Sequence, residues 1–467
     1  MYNANYEMFK GMIAGKKVAV LGLGISNIPA IKFLHKHGAI ITGCDKNAEC
    51  NFSEQVMNTL TSCCEKLNLG DGYLDNLTEF DIILKSPGIK PHLPQIQEAI
   101  KSGVTVTSEM EIFMSLCPCK IIGVTGSDGK TTTTTLIYEM LKQDGKTCHV
   151  GGNIGTPLLD QIDFISDTDY VVLELSSFQL QLMGISPDIA VITNITPNHL
   201  DYHKDMEEYT EAKANIFKFQ NKKSKLVINA DNSVTASFAG RQKGELVYFS
   251  RKSEKYGAYL HENKLCYNGD VVMTCEDIKI RGTHNVENYL AAIAAVYDIV
   301  DRESMLYVAR NFGGVEHRME FVRELNGIEF YNDSIGSSPT RTIAGLRAHD
   351  GKIVLIAGGY DKKLSFDELG KVVKQTVSAL VLCGATSDSI EKSVKAAYTS
   401  DEKVINILKT TSFEQAIKGA YALAKALKIT GKEKVSVILS PACASFDMFK
   451  NFEVRGNTFK DIVNTLE

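Results

Sequence analysis

No run of apolar residues in this 467-residue chain approaches the roughly 18 needed to span a bilayer. The stretch VAVLGLGI (18–25) is apolar but short, and Glu7 lies ahead of it. It reads as a first buried strand rather than as a signal peptide. Neither sign of charge dominates. Lys and Arg number 51 and Asp and Glu 56, a net charge of −5, which excludes broad attraction to nucleic acid or to an anionic membrane but leaves room for local anion sites. No pair of C-x-x-C motifs is present. The 11 cysteines are scattered, with Cys117 and Cys119 in C-x-C spacing and Cys63 and Cys64 adjacent, as expected of reduced, metal-free thiols in a cytosolic protein. Internal repeats and low-complexity linkers are also missing. What remains is 44% hydrophobic and 23% charged, ordinary for a globular chain, and long enough for about three domains.

Those three emerge as successive α/β units. In the first, the apolar runs KVAVL (17–21), AIITGCD (39–45) and FDIILKSPG (80–88) alternate with a helical pattern at Ile28, Ile31, Phe33 and Leu34. This is β-α-β spacing and predicts a parallel sheet. A second unit starts near 109. KIIGVTG (120–126) is a strand, TTTTTLIYEMLKQDG (131–145) a helix with Gly145 as its C-terminal cap, and YVVLELSS (170–177) and IAVITNI (189–195) are further buried strands. HNVENYLAAIAAVYDIV (284–300) reads as an amphipathic helix. A third unit, after NFGG near 313, carries KIVLIAGGYDKK (352–363), SALVLCG (378–384) and KVSVILSPACASFD (434–447), each a strand that ends in a turn.

The chemistry concentrates in turns that follow strands. GVTGSDGKTT (123–132) lies between a strand and a helix, as a phosphate-binding loop must. It departs from G-x-x-x-x-G-K-[ST] because position 124 is Val and the glycines fall at 123, 126 and 129. In this loop Gly126 and Gly129 allow backbone N–H groups to point inward, Lys130 supplies charge for phosphates, and the Thr131 hydroxyl suits Mg²⁺. Glu174, at a strand end, is placed to hold Mg²⁺ or merely to cap a turn. His199, in TNITPNHLDYH, is a ligand candidate, whereas Lys213, in YTEAKANIF, looks like a helix-surface lysine. In the first unit, GLGISN (22–27) resembles a dinucleotide turn without its third glycine, and Asp45 stands where a ribose-binding acid would. A nicotinamide site, a site for another nucleotide diphosphate and a plain tight turn all remain open.

GVTGSDGKT matches throughout the loop G-x-T-G-[ST]-x-G-K-[ST] of the Mur ligases, ATP-dependent amide-forming enzymes of peptidoglycan synthesis, and the chain resembles that family along almost its whole length. GLGIS, SPG, GGNIGTP, ELSSFQL and LSPACASFDMFKNFEVRGNTF (439–459) carry the resemblance. The last is specific to the D-glutamate-adding branch. The resemblance implies three α/β domains. These are a Rossmann-like UDP-substrate domain (1–108), a central P-loop-type ATP domain with a parallel-rich sheet (109–313), and a Rossmann-like C-terminal ligase domain (314–467) that closes over ATP and D-glutamate.

By position, the resemblance assigns the UDP substrate to Ser26, Asp45, Ser86, Gly88 and Asn153. It assigns ATP to Gly126, Ser127, Asp128, Gly129, Lys130, Thr131, Thr132, Asn285, Asn288, Arg318 and Asp333, and D-glutamate to Lys362, Ser445 and Phe452. Thr131, Glu174, His199 and Lys213 would serve two Mg²⁺ ions, with Lys213 converted to a carbamate by CO₂. Lys130, Glu174, His199 and Lys213 form the expected catalytic set. The implied substrates are UDP-N-acetylmuramoyl-L-alanine and D-glutamate, in the cytoplasm, with no nucleic acid, membrane insertion or obligate protein partner.

One departure stands out. Many relatives continue NDS with lysine, alanine and threonine, but this chain reads NDSIGSSPT, with Ile335 at the lysine position and Ser337 at the threonine. Lys363 or Arg341 are the candidates to supply the missing charge. The implied reaction forms an acyl phosphate on a substrate carboxylate, and excluding water from it favours domain closure on hinges near 108 and 313. The competing readings are a kinase or simple NTPase, a nucleotide-sensing regulator, and a relative that adds another amino acid. The 439–459 motif argues against all three.

Overall fold

The computed structural model describes residues 3–24, 26–49, 52–155, 157–199, 202–280, 282–347, 349–361, 364–399, 401–429 and 433–467. Of the expected site residues, Lys362 lies outside the described residues, as does Lys363. Three sheets follow one another along the chain. The first two belong to one compact unit, Met1–Phe312, and the third to another, Gly313–Glu467.

The first sheet has five parallel strands in the spatial order Lys66–Leu69, Ile40–Asp45, Lys17–Leu21, Ile82–Lys85, Thr105–Thr107. Strand order reverses between Lys17–Leu21 and Ile82–Lys85, and ligands of open α/β sheets bind at such a crevice, beyond the carboxyl ends of the strands. The glycine turn after Leu21 and the SPG turn after Lys85 therefore lie side by side, tied by Ser86 N–H donating to Leu21 O at 2.9 Å.

The central sheet has nine strands. Seven run parallel in the order Gly257–His261, Glu245–Ser250, Lys225–Asn229, Ile189–Ile192, Lys120–Thr125, Tyr170–Glu174, Cys148–Gly152. Lys264–Tyr267 and Asp270–Thr274 add an antiparallel extension at the Gly257–His261 edge. Lys120–Thr125 and Ile189–Ile192 are buried almost without alternation, because helices cover both faces.

One of those helices departs from expectation. Thr283–Val296 was expected to be amphipathic, yet every residue from Asn288 to Val296 is buried. It lies against the sheet on one side and the helix Lys130–Gln143 on another, and Tyr289 Oη lies 3.5 Å from Val308 O of the helix Arg302–Asn311. Ala291, Ala292, Ala294 and Ala295 keep it slim enough for that position, and a helix buried all round has no polar face to conserve. The helix Lys130–Gln143 ends as its glycine predicts. Gly145 adopts φ 75°, with Lys146 N–H donating to Leu141 O and Gly145 N–H to Lys142 O, a Schellman pair.

The third sheet runs Glu320–Leu325, Ile328–Asn332, Val435–Leu439, Lys352–Ala357, Val377–Cys383, Asn406–Thr410, parallel except for the first pair. Helices cover both of its faces, and two hydrophobic clusters fill the layers between. The described cysteines are free thiols, and among the described residues no helix is long and apolar enough to cross a membrane.

Candidate functional site

The loop after Lys120–Thr125 owes its shape to residues far away in sequence. Ser127 N–H donates to Asn194 O (2.8 Å) and Asp128 N–H to Asn194 Oδ1 (3.0 Å), while Thr193 Oγ1 donates to Asp128 O (2.5 Å). Ser127 Oγ sits 2.9 Å from Tyr209 Oη and accepts from Thr196 N–H at 2.9 Å. Each such bond contributes on the order of 1 kcal/mol, so together they decide the loop conformation. Two glycines are required. A Cβ on Gly126 (φ 150°) would collide with Thr193 Oγ1, and one on Gly129 (φ 79°) with Asn288 Oδ1.

Asn288 is buried beside Gly129. Its Oδ1 lies 3.3 Å from Thr133 Oγ1, and its Nδ2 donates to Asn285 Oδ1 at 3.1 Å. This contact gives the threonine run part of its reason: Thr133 joins two buried helices, and Thr135 Oγ1 donates back to Thr131 O at 2.8 Å. Thr134 Oγ1 is buried without a hydrogen-bond partner, and nothing in the structure explains it.

Three of the expected catalytic residues meet this loop. Lys130 Nζ reaches across it to donate to Gly126 O and Ser127 O, each at 3.0 Å. Glu174 is paired in register with Val124, just before the loop, and is 1% exposed. Its Oε1 accepts from Asn153 Nδ2 at 2.7 Å, while Oε2 is buried with no hydrogen-bond partner. A buried acceptor left unpaired costs about 1–3 kcal/mol, more if charged, unless something cationic answers it.

Lys213 overturns its reading as a surface lysine, being 2% exposed on the helix Met206–Lys218. Its Nζ donates to Gly126 O at 2.7 Å and lies 4.8 Å from the centre of the Tyr209 ring. Burial, reinforced by the positive charge of Lys130, holds its ammonium well below the usual lysine range. His199 is exposed and takes φ 55°, its ring edge-on to Phe178 at 5.0 Å and 6.4 Å from Tyr209. Sequence reasoning missed Tyr209. Its signal was the spacing to Lys213, four residues and hence the same helix face.

The fit to a divalent cation can be tested on these donors. Among the described residues no three His, Cys, Asp or Glu form a metal-binding group by themselves. The orphaned Glu174 oxygen, beside a loop shaped for phosphates, fits Mg²⁺, which takes one or two carboxylates and completes its shell with phosphate and water oxygens.

The first glycine turn is built otherwise. Asp45 is buried, its Oδ2 accepting from Leu23 N–H (2.7 Å) and its Oδ1 from Asn47 N–H (2.8 Å), so the carboxylate closes the turn from within. Ser26 caps the helix Asn27–Lys36 without a side-chain bond. Gly88 belongs to the neighbouring SPG turn, beneath which Lys85 is buried. Lys85 Nζ donates to Ser86 O (3.0 Å) and Ile89 O (2.8 Å), and burial lowers it to about 8. Tyr202 Oη donates to Pro87 O at 3.0 Å, linking this turn to the segment that follows His199. Asn153, expected at the sugar diphosphate, is bound to Glu174 by backbone as well as side chain.

In the C-terminal unit, the turns after Ile328–Asn332, Lys352–Ala357 and Val435–Leu439 converge. Asp333 N–H donates to Leu439 O (2.7 Å), Ser440 Oγ to Asp333 Oδ2 (2.6 Å), Gly358 N–H to Pro441 O and Tyr360 N–H to Ala444 O, both at 2.9 Å. Asp333 is buried and its carboxyl pushed up to about 6, although Ser440 and the Met319 N–H partly offset burial. Arg318 follows His317, whose Nδ1 accepts from Asn332 Nδ2 at 2.9 Å in the tautomer protonated on Nε2. Ser445 is buried at the end of the SPACAS turn, and Phe452 opens the helix Phe452–Thr465, 6.0 Å from the His317 ring.

Arg455 escaped sequence reasoning. Fully buried, it donates to Ser334 Oγ (3.0 Å), Ser334 O (2.8 Å) and Cys443 O (3.2 Å), fastening the NDS turn to the SPACAS turn. Its place one turn into that helix, in FEVRG, was the available signal.

Comparison with known proteins agrees along the chain. The N-terminal domain of MurD-like Mur ligases matches residues 16–108, the Mur ligase middle domain 124–296, and the Mur ligase glutamate ligase domain 317–441. The chain is 54% identical over 473 residues to the UDP-N-acetylmuramoylalanine–D-glutamate ligase of Acetivibrio thermocellus, covering 100% of both. It is 47% identical over 477 residues to that of Ruminiclostridium cellulolyticum, again covering 100% of both. Against the Clostridium kluyveri enzyme of the same name it is 50% identical over 463 residues, 99% of each chain. Among solved structures, the UDP-N-acetylmuramate-alanine ligase MurC of Thermotoga maritima aligns with TM-score 0.55 at 18% identity, over 96% of this chain and 99% of that one, a likeness of fold.

Proposed function

The chain belongs to the Mur ligase family, and from that premise we propose that it is the ATP-dependent ligase joining D-glutamate to UDP-N-acetylmuramoyl-L-alanine in cytoplasmic peptidoglycan precursor synthesis. Full-length relatives at 47–54% identity carry that name. The single observation that carries the reading is the grouping of Lys130, buried Lys213 and the unpaired Glu174 oxygen around one phosphate loop.

A carboxylate is a poor acyl donor because its leaving group would be oxide. In this reading the L-alanine carboxylate attacks the γ-phosphorus of ATP and ADP leaves. The D-glutamate amine then attacks the acyl carbon, expelling phosphate and losing a proton as the amide forms. The first step drives an anion toward a polyanion. Lys130 and the inward N–H groups of the loop oppose that repulsion in a rigid, preformed setting. Thr131 and Glu174 would hold Mg²⁺, with His199 and Lys213 at a second ion, and bound Mg²⁺ neutralises phosphate charge as a Lewis acid.

As an ammonium Lys213 cannot serve a cation, since that form only donates. Burial favours the neutral, nucleophilic amine over the ammonium, and that form adds to CO₂, sheds a proton and becomes a carbamate with oxygen acceptors. The remaining assignments follow the same reading. Ser26, Ser86, Gly88 and Asn153 meet the UDP substrate, Asn285, Asn288, Arg318 and Asp333 meet ATP, and Lys362, Ser445 and Phe452 meet D-glutamate.

The test is phosphate release from ATP and UDP-N-acetylmuramoyl-L-alanine with a panel of amino acids. D-Glutamate alone gives full turnover. ADP formation without any amine would establish a kinase or NTPase instead, and preference for another amino acid would move the chain to a different branch.

A further inference from the structure

D-Glutamate brings two carboxylates to a site that must leave its amine free, so the protein has to supply cations there. The turn that follows Asp333 offers none of its own: residues 334–340 read SIGSSPT, and Arg341 is the next charged residue. Resting on the reading above, we propose that Arg341 binds a carboxylate of the incoming D-glutamate and sets the preference for an acidic amino acid.

Arg341 stands in the first turn of the helix Pro339–Arg347, but its guanidinium does not run off into solvent along that helix. Its Nη1 lies 3.4 Å from Ile335 O, six residues back, over the turn beyond the carboxyl end of Ile328–Asn332. The backbone that carries it is fixed. The adjacent Thr342 is fully buried, with its Oγ1 2.9 Å from Ser440 Oγ and 3.4 Å from Gly336 O. Gly336 itself leaves no room for a side chain, since a Cβ there would meet Asp333 Oδ2 at 2.7 Å and Ser440 Oγ at 2.8 Å.

Arg341 is thus an exposed cation on a rigid mount, one long bond from the turn and within electrostatic reach of Asp333. The other arginines at this edge have separate work. Arg455 is buried, donating to Ser334 and Cys443. Arg318 acts on Asp333 from the opposite side in sequence, and the functional reading gives it to ATP. A planar guanidinium is the side chain best matched to a carboxylate.

The experiment uses the full-length chain with Arg341→Gln and Arg341→Lys, assayed by phosphate release with D-glutamate, D-glutamine (side-chain amide) and D-isoglutamine (α-amide). Losing a charge-assisted contact predicts a KM for D-glutamate raised about tenfold or more in R341Q. KM for ATP stays within about twofold, and R341K recovers part of the loss. Preference for D-glutamate over one of the two amides collapses in R341Q, and which amide it is names the carboxylate held. A raised KM for ATP with that for D-glutamate unchanged would assign Arg341 to phosphate and overturn the proposal. So would an equal loss on all three amino acids with a lowered Tm, which marks a purely structural residue. No D-glutamate turnover by the unaltered chain would remove the functional reading and this inference together. Normal turnover with an unchanged D-glutamate preference in R341Q would remove the inference alone.

Discussion

Two turns in the Met1–Phe312 unit share one plan, a buried parallel strand that breaks at glycine and enters a helix, yet they use their acids in opposite ways. At GLGISN the acid is turned inward: both oxygens of Asp45 are taken by backbone N–H groups, and the turn is held by its own carboxylate. At GVTGSDGKTT the neutral groups Thr193, Asn194, Tyr209 and Asn288 shape the loop and Lys130 and Lys213 donate to its carbonyls, while Glu174 keeps an oxygen unpaired. The first arrangement spends charge on shape. The second draws its shape largely from side chains elsewhere and leaves a carboxylate oxygen for chemistry, the pattern expected where a cationic and phosphate-rich ligand is to be bound.

The strongest way to break this contrast is Lys213→Ala. If the buried amine is chemical, activity falls by about a thousandfold or more, consistent with losing an essential group, and small carboxylic acids restore part of it. Incubation with ¹³C-labelled CO₂ gives a carbamate signal in the unaltered protein that the variant lacks. Full activity in the variant would put Lys213 on the same footing as Asp45, a structural charge.

Asp45→Asn tests the other side. It keeps the shape but sets an amide donor against a backbone donor, a loss of about 1–3 kcal/mol for the unpaired group. The expected outcome is a lowered Tm, a raised KM for the UDP substrate and an unchanged KM for ATP. An unaltered Tm with the same rise in KM would make Asp45 a ligand and not a brace.

The smallest effect on turnover is expected at Lys85. Its folded value lies near 8, below the usual 10.5, so the unfolded chain holds the proton more tightly between those values. Stability should therefore rise with pH from 8 to 10.5, by at most about 1.4 kcal/mol per unit. Lys85→Met should flatten that limb in denaturant titrations, and an identical slope in both proteins would show that Lys85 does not titrate there.

The contrast also marks what the sequence makes legible. The strands, the glycine turns, Lys130 and the Schellman end of the phosphate-loop helix are local, written in spacing and turn chemistry, and were readable. The contacts that shape the loop come from Thr193, Asn194, Tyr209 and Asn288, which only the fold brings near. Lys213 misled because periodicity counts every lysine as polar, whereas this one occupies a buried face of its helix; resemblance to a family supplied what chemistry in one dimension did not. The helix Thr283–Val296 misled in the opposite direction. It reads as amphipathic, and its alanines prove to be the means of fitting it between other elements. Arg455 was invisible for the same reason as Lys213.

Asn288, wedged between Gly129 and Thr133, bears on how portable such motifs are. The nine letters GVTGSDGKT look like a cassette that any α/β protein might accept. Here their geometry depends on an amide from a helix about 160 residues downstream and on two side chains after a neighbouring strand. Grafting the letters alone into another scaffold would transfer the string without the grip. Engineering or inheritance of this loop has to move the surrounding helix and strand ends with it.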